Sequence, residues 1–248
     1  MTPKAIAAAL FAGLMALGAA PALAACTQTE FEGQSFTTCT ARAGDDLRLF
    51  LNDDSGALYG SFARIDAALG RRGQRLVFAM NAGMFHPDRR PVGLYIEERE
   101  QAARLVTRAG PGNFGMLPNG VFCIQDEAFR ILESVSYGEA PPDCRFATQS
   151  GPMLVIDGAL HPRFLPESTS LNIRNGVGVS EDGQDAYLVI SDSPVTFDRF
   201  ARFFRDALGL KQALYLDGRV SRLYAPELNR ADWGLPMGPI IGLVGPAD

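Results

Sequence analysis

Leu76-Val77-Phe78-Ala79-Met80 runs directly into Asn81-Ala82-Gly83-Met84-Phe85. An unbroken apolar run of strand length, closed by turn residues, reads as a fully buried strand. Its end in Asn, a small residue and Gly delivers a polar side chain and a close backbone approach to one sheet edge. Binding and catalytic groups are commonly carried where a rigid element meets a loop. The pattern returns twice. Asn172-Ile173-Arg174-Asn175-Gly176-Val177-Gly178-Val179 sets Arg and Asn at the mouth of a Val-rich strand, and Ala213-Leu214-Tyr215-Leu216-Asp217-Gly218 closes a strand in Asp-Gly. Amide, guanidinium and carboxylate at three strand ends imply a small polar site for an anionic or sugar-like ligand.

Outward from these junctions the chain is mostly short strands. Thr27–Glu32 and Ser35–Arg42 read as a hairpin turning at Gly33-Gln34, and Leu47–Leu51 ends in the turn cluster Asn52-Asp53-Asp54-Ser55-Gly56. Further strands are expected at Gly93–Glu97, Ala103–Thr107, Gly120–Ile124, Phe129–Glu133, Arg145–Gln149 and Met153–Ile156. Val177–Val179 and Tyr187–Ile190 read as a hairpin, and Leu214–Leu216 and Pro239–Val244 complete the set. Ser61 caps a helix with Phe62, Ile65, Ala68 and Leu69 on one face. Thr196 caps a second, with Phe197, Phe200, Phe203, Phe204, Ala207 and Leu208 at helical spacing and Gly209 at its end. Many strands with two main helices predict an α+β fold: a mixed, largely antiparallel β-sheet core with the helices packed on it. One domain is expected over residues 25–248.

Residues 1–24 have one charge, Lys4, before an apolar run and end in Pro21-Ala22-Leu23-Ala24, the pattern of a secretory signal peptide. Export to the periplasm or the medium is therefore expected. Without Lys4 the mature chain has 22 of the 23 basic residues against 28 acidic ones. A mildly acidic chain argues against nucleic acid and anionic membranes as partners, and no later stretch approaches spanning length. Cys26, Cys39, Cys123 and Cys144 form an even set, so disulfides are expected in an oxidising compartment. Three pairings are open, with Cys26–Cys39 and Cys123–Cys144 favoured. Leu23-Ala24-Ala25-Cys26 also fits a lipobox, in which Cys26 would be lipidated.

There is no Gly-x-Ser-x-Gly elbow, P-loop, Cys-x-x-Cys or paired His motif, and no metal or other cofactor is expected. His86 lies just past the Asn81 junction and suits a site or a solvent-exposed loop; His161 reads as part of a hairpin turn. Asp217 follows a buried strand, so desolvation should raise its pKa and suit it to acid, base or nucleophilic work; the alternative is a turn-forming Asp-Gly pair. Arg174 offers a planar fork for phosphate or carboxylate, or an ion pair. Glu97 is a second carboxylate or part of a solvated acidic edge with Glu98 and Glu100. Ser150, before Gly151-Pro152, reads as a ligand contact more than a nucleophile.

Taken in order, Asn81–Phe85, Pro91–Ile96, Asn119–Phe122, Gln149–Leu154, Arg174–Val179 and Leu216–Gly218 resemble the phosphodiester glycosidase family, most closely its compact bacterial branch. The wider family continues after Asp-Gly with a Gly/Ser-rich loop, whereas this chain has Arg219-Val220-Ser221-Arg222. The resemblance implies cleavage of a sugar-1-phosphodiester at the anomeric carbon, with a carbohydrate phosphodiester or envelope polysaccharide as partner. It implies catalytic roles for Asp217, Arg174 and Glu97: Arg174 stabilises the departing phosphate and Asp217 the oxocarbenium-like centre or the attacking water. Asn81, Gly83, His86, Ser150, Gly151, Asn175, Gly218 and Arg219 form the expected substrate-binding set, and loss of Asn81 is expected to leave the fold intact. Two other readings are a non-catalytic glycan- or anion-binding domain and a metal-dependent hydrolase using His86.

Overall fold

The computed structural model describes residues 25–247, so the expected signal peptide lies outside the described residues. Three sheets share one core. The first has seven strands, in the order Cys26–Phe31, Gln34–Arg42, Asp185–Ser191, Asn175–Val179, Gln212–Asp217, Met153–Ile156 and Ala159–Leu160. A second, of five, runs Arg230–Ala231, Leu223–Ala225, Gln74–Asn81, Ile240–Pro246 and Leu47–Phe50. The third, also of five, runs Glu100–Ala103, Tyr95–Glu97, Phe146–Ser150, Gly120–Ile124 and Phe129–Glu133. Every pairing between these strands is antiparallel.

Alternation along the strands builds the core. Leu188, Leu214 and Leu216 from the first sheet, Phe78, Met80 and Ile241 from the second, and Phe122, Ile124 and Phe146 from the third meet in one apolar cluster. The other sheet faces need cover, and the helices supply it. Phe62–Gly70 starts where Ser61 Oγ accepts the Arg64 N–H at 3.4 Å and buries Phe62, Ile65 and Leu69 against the second sheet. Phe197–Arg202, capped by Thr196, covers the first sheet.

This second helix departs from the expected spacing. It widens into a π-turn over Phe203–Ala207, and both Phe203 and Phe204, adjacent in sequence, are fully buried. A π insertion turns the helix past its 3.6-residue repeat, so consecutive rings reach the sheet, with Phe203 stacked on Phe36 at 4.2 Å.

Several other expectations shift. The first hairpin turns at Glu32-Gly33, one residue early, both residues having positive φ (49° and 73°) as a type I′ turn requires. The expected strand Ala103–Thr107 moves forward to Glu100–Ala103, because Glu98-Arg99, also at positive φ, turns the chain. Those charged residues gave no turn signal; here Arg145 pairs with Glu98 and Arg99 with Asp126. A short helix, Ser134–Glu139, also appears, its first N–H groups capped by Glu133 Oε2.

Disulfides join Cys26 to Cys39, directly opposite each other in the hairpin, and Cys123 to Cys144. The lipobox reading is thereby overturned: Cys26 Sγ is committed to a covalent partner in the core.

Candidate active site

Strand Gln212–Asp217 runs through the core and ends at an open cleft of about 1000 Å³. The two-residue repeat of a strand puts Tyr215 and Asp217 on the same face, and both line the cleft floor. Gly218, Arg219, Val220 and Arg222 form one wall, His86 and Arg89 stand on another, and Asn113 and Phe114 close a third.

Asp217 is 7% exposed. Its Oδ1 accepts the N–H groups of Gly218 at 2.6 Å and Arg219 at 2.7 Å, fixing the carboxylate plane and leaving Oδ2 as the oxygen those bonds do not use. Burial pushes its pKa above the usual carboxylate value; the backbone donors of Arg219, Gly218 and Val220 and the Arg219 charge only partly oppose that. Asp217 is the only carboxylate among the lining residues, against Arg89, Arg219 and Arg222. In a chain of net charge −5 this is a local reversal of sign. Arg222 Nη1 is held by the Leu235 carbonyl at 2.7 Å, and Arg89 lies over the Phe85 ring at 5.4 Å.

Beneath Asp217 lies a buried polar layer that brings the three strand ends together. Asn175 is paired in register with Asp217 across neighbouring strands. Asn81 Nδ2 donates to Asn175 Oδ1 at 3.1 Å, and Asn175 Nδ2 donates to the Asn81 carbonyl at 2.8 Å. Asn81 Oδ1 accepts the Arg222 N–H at 3.0 Å. Both asparagines are fully buried and neither lines the cleft. Expected to contact the ligand, Asn81 and Asn175 instead use their amides here to join two sheets and anchor the loop after Asp217.

Arg174 is likewise behind the wall, at 1% exposure. Its Nε donates to the Val195 carbonyl at 2.8 Å, Nη2 to the Ser170 carbonyl at 3.0 Å and Nη1 to the Tyr215 hydroxyl at 3.2 Å. The guanidinium also sits 3.7 Å over the Phe197 ring. Burial draws its pKa down, with Tyr215 opposing. Tyr215 in turn has its pKa raised by burial, and Asn113 also hydrogen-bonds it. Arg174 can only donate, so the Tyr215 hydroxyl accepts from it and keeps its own proton to give.

Gly218 is required by contact: a Cβ there would fall 1.8 Å from the Tyr215 hydroxyl oxygen. Gly83 and Gly151 are packing glycines, whose Cβ atoms would meet Thr148 Oγ1 at 2.9 Å and Asn119 Cβ at 2.5 Å. Ser150 is buried and donates to the Leu216 carbonyl at 2.9 Å, bracing the Asp217 strand without reaching the cleft. Glu97, expected as a second catalytic carboxylate, does not line the cleft with Asp217 and accepts from the Tyr95 hydroxyl at 2.6 Å. Burial pushes its pKa up, offset by Tyr95 and the Leu51 backbone. His161 is also away from the cleft: Nδ1 accepts the Arg163 N–H, which puts the proton on Nε2, facing the Leu117 carbonyl. Among the described residues, no group of three or more His, Cys, Asp or Glu is arranged to hold a metal ion.

Tyr215, Arg89, Asn113 and Phe114 were not singled out from the sequence. Tyr215 had a usable signal, lying two residues before Asp217 on a strand. The loop containing Asn113 and Phe114 had none, since it is aimed by Asn119 Nδ2 on the Phe114 carbonyl and by buried Gln149, which binds the backbone of Val106.

A family model for phosphodiester glycosidases matches residues 74–235. The Escherichia coli (strain K12) protein YigE, itself uncharacterized, is 34% identical over 178 residues, covering 72% of this chain and 69% of that protein. A hypothetical protein from Synechocystis superposes with a TM-score of 0.56 at 15% identity, over 88% of this chain but 61% of that one, less than two thirds of its length. The catalytic domain of zebrafish N-acetylglucosamine-1-phosphodiester alpha-N-acetylglucosaminidase, auto-inhibited by its pro-peptide, gives 0.54 at 13% identity over 88% of this chain and 81% of that one. At those identities the two solved structures share the fold.

Proposed function

The chain belongs to the phosphodiester glycosidase family, and from that premise we propose that it is an exported hydrolase cleaving a sugar-1-phosphodiester at the anomeric carbon. One observation carries this reading: a lone carboxylate, Asp217, faces a cleft lined by three arginines. Hydrolysis of an ordinary glycoside uses two carboxyl groups, one of them to protonate the leaving oxygen. A phosphate monoester leaves without that proton and needs positive charge around its oxygens instead. Arg219 and Arg222 supply it, above the fully buried Tyr215.

The expected phosphate contact by Arg174 gives way to a positioning role, holding Tyr215 from behind. Asp217 stabilises the oxocarbenium-like carbon with the oxygen that Gly218 and Arg219 do not bind. Retention of anomeric configuration in the product identifies it as the nucleophile, and inversion as the base that activates water. Two disulfides support an oxidising compartment, and no helix among the described residues is long and apolar enough to cross a membrane. A periplasmic or secreted site of action, on an envelope or extracellular glycan, fits these facts.

The test is a panel of glycosyl phosphodiesters incubated with the mature protein, with released sugar and phosphate monoester followed by NMR. Release of both from at least one diester is expected. Saturable binding without any product would instead make this a non-catalytic glycan- or anion-binding domain.

A further inference from the structure

Trp233 is the chain's one tryptophan, and it is 93% exposed. A single exposed apolar residue needs no explanation, but this one is displayed by an anchored segment. On one side, Asp232 N–H donates to the Leu223 carbonyl and its Oδ2 accepts the Leu223 N–H, both at 3.0 Å, while Arg230 pairs with its carboxylate. On the other, the Leu235 carbonyl accepts Arg222 Nη1, and Gly234 lies so close to that guanidinium that a Cβ would fall 2.2 Å from Nη2. The backbone of Trp233 thus runs between two anchored points.

Its neighbours place it at the cleft. Arg222 and Leu235 both line the cavity, and Leu235 is itself 74% exposed. Along the wall, Asn172 lines the cleft between exposed Leu171 and Ile173, and the Ile173 carbonyl is bonded to Ser221, next to Arg222. Exposed Leu235 is thus tied to Arg222, and exposed Ile173 to its neighbour Ser221, at the arginine-bearing wall of the cleft.

We propose that Trp233 is the platform of a carbohydrate subsite on the aglycone side of the cleft, stacking a pyranose ring of a glycan that continues past the phosphate. This rests on the function proposed above for the direction of the substrate. A flat indole matches the C–H face of a pyranose, and a backbone anchored on both sides of it leaves only the side-chain rotation to be fixed on binding. The polar groups at this wall, Arg222 and Asn172, suit a ligand rich in hydroxyls. An acyl chain or an apolar protein face would leave them unpaired.

Because there is one tryptophan, its fluorescence reports this subsite directly. Titration of the mature protein with neutral tetrasaccharides of glucose, mannose and N-acetylglucosamine is expected to shift and saturate the emission with at least one of them. In parallel, KM is measured for one sugar-1-phosphodiester with a methyl aglycone and the same diester with a tetrasaccharide aglycone. Trp233→Ala should raise KM for the long substrate about tenfold, about 1.4 kcal/mol, and leave the methyl diester unchanged; Trp233→Phe should fall between. Equal effects of Trp233→Ala on both substrates, no emission change with any tetrasaccharide, or a response to phospholipid vesicles alone would overturn the subsite. A saccharide-dependent emission change in a protein that cleaves no diester would keep the subsite and remove the hydrolase reading.

Discussion

Asn81 and Asn175 exchange two hydrogen bonds across the boundary between two sheets, through Asn81 Nδ2 to Asn175 Oδ1 and Asn175 Nδ2 to the Asn81 carbonyl. The pair sits directly under the carboxylate-bearing strand end and is closed on the loop side by the Arg222 N–H on Asn81 Oδ1. Asp217 therefore reaches the cleft above a buried layer in which Asn81 and Asn175 are engaged with each other and with the Arg222 backbone.

Asn81→Ala follows from this relationship. It removes the acceptor of a backbone N–H and the donor to Asn175 Oδ1, leaving buried groups unpaired at about 1–3 kcal/mol each. Chemical denaturation should show a loss of about 2–4 kcal/mol. An unchanged unfolding midpoint would restore the sequence-based expectation that Asn81 is dispensable to the fold.

Gly218 and Tyr215 should be energetically coupled. Gly218→Ala drives a methyl into the Tyr215 hydroxyl, an overpacking that costs about 1–3 kcal/mol. Tyr215→Phe removes the oxygen that it strikes. In a double-mutant cycle the two changes together should be less damaging than their sum, by about 1 kcal/mol. Additive losses would mean that the clash is relieved elsewhere.

The raised pKa of Asp217 has a definite sign for stability. A carboxyl group whose folded pKa lies above its unfolded one binds more protons in the folded state between the two values. Stability from that group is then full below the ordinary 3.8 and is lost as pH rises through the folded value. Asp217→Asn, which keeps an oxygen acceptor for Gly218 and Arg219, should melt higher than wild type at neutral pH, with the gap closing towards pH 3.8. A variant that melts lower at neutral pH would show the carboxylate to be a net stabilising group.

The hairpin disulfide makes a separate prediction. Replacing Cys26 and Cys39 by Ser should cost about 2–4 kcal/mol, the usual range for a bridge closing a short loop. Intact mass of the exported protein should show no lipid on Cys26. A lipid-sized mass increment would contradict the bond between these two residues.

What was legible in the sequence was whatever depends on near neighbours. Ser61 and Thr196 announced their helices, and the runs Gly120–Ile124, Phe129–Glu133 and Met153–Ile156 became strands at those same limits. Asp217 at a strand end facing a cleft was also visible, because the apolar run before it forces burial. Side-chain partners over long separations were not. Asn81 and Asn175 are 94 residues apart, so nothing local distinguishes an amide aimed at a ligand from one aimed at another amide. Arg174 looked like a phosphate fork because its takers, the Val195 and Ser170 carbonyls, are backbone groups that no composition reveals. Glu97 differed for a simpler reason: its strand belongs to the third sheet, whereas Asp217 ends a strand of the first, and Glu97 does not line the cleft.

The role of Asp217 in catalysis is tested most directly by one comparison: the initial rate of phosphate monoester release from a sugar-1-phosphodiester by wild type and by Asp217→Asn, both shown to be folded. Loss of a positioned acid–base or nucleophilic carboxylate should slow release by about a thousandfold. An Asp217→Asn variant that releases phosphate monoester at the wild-type rate would contradict it.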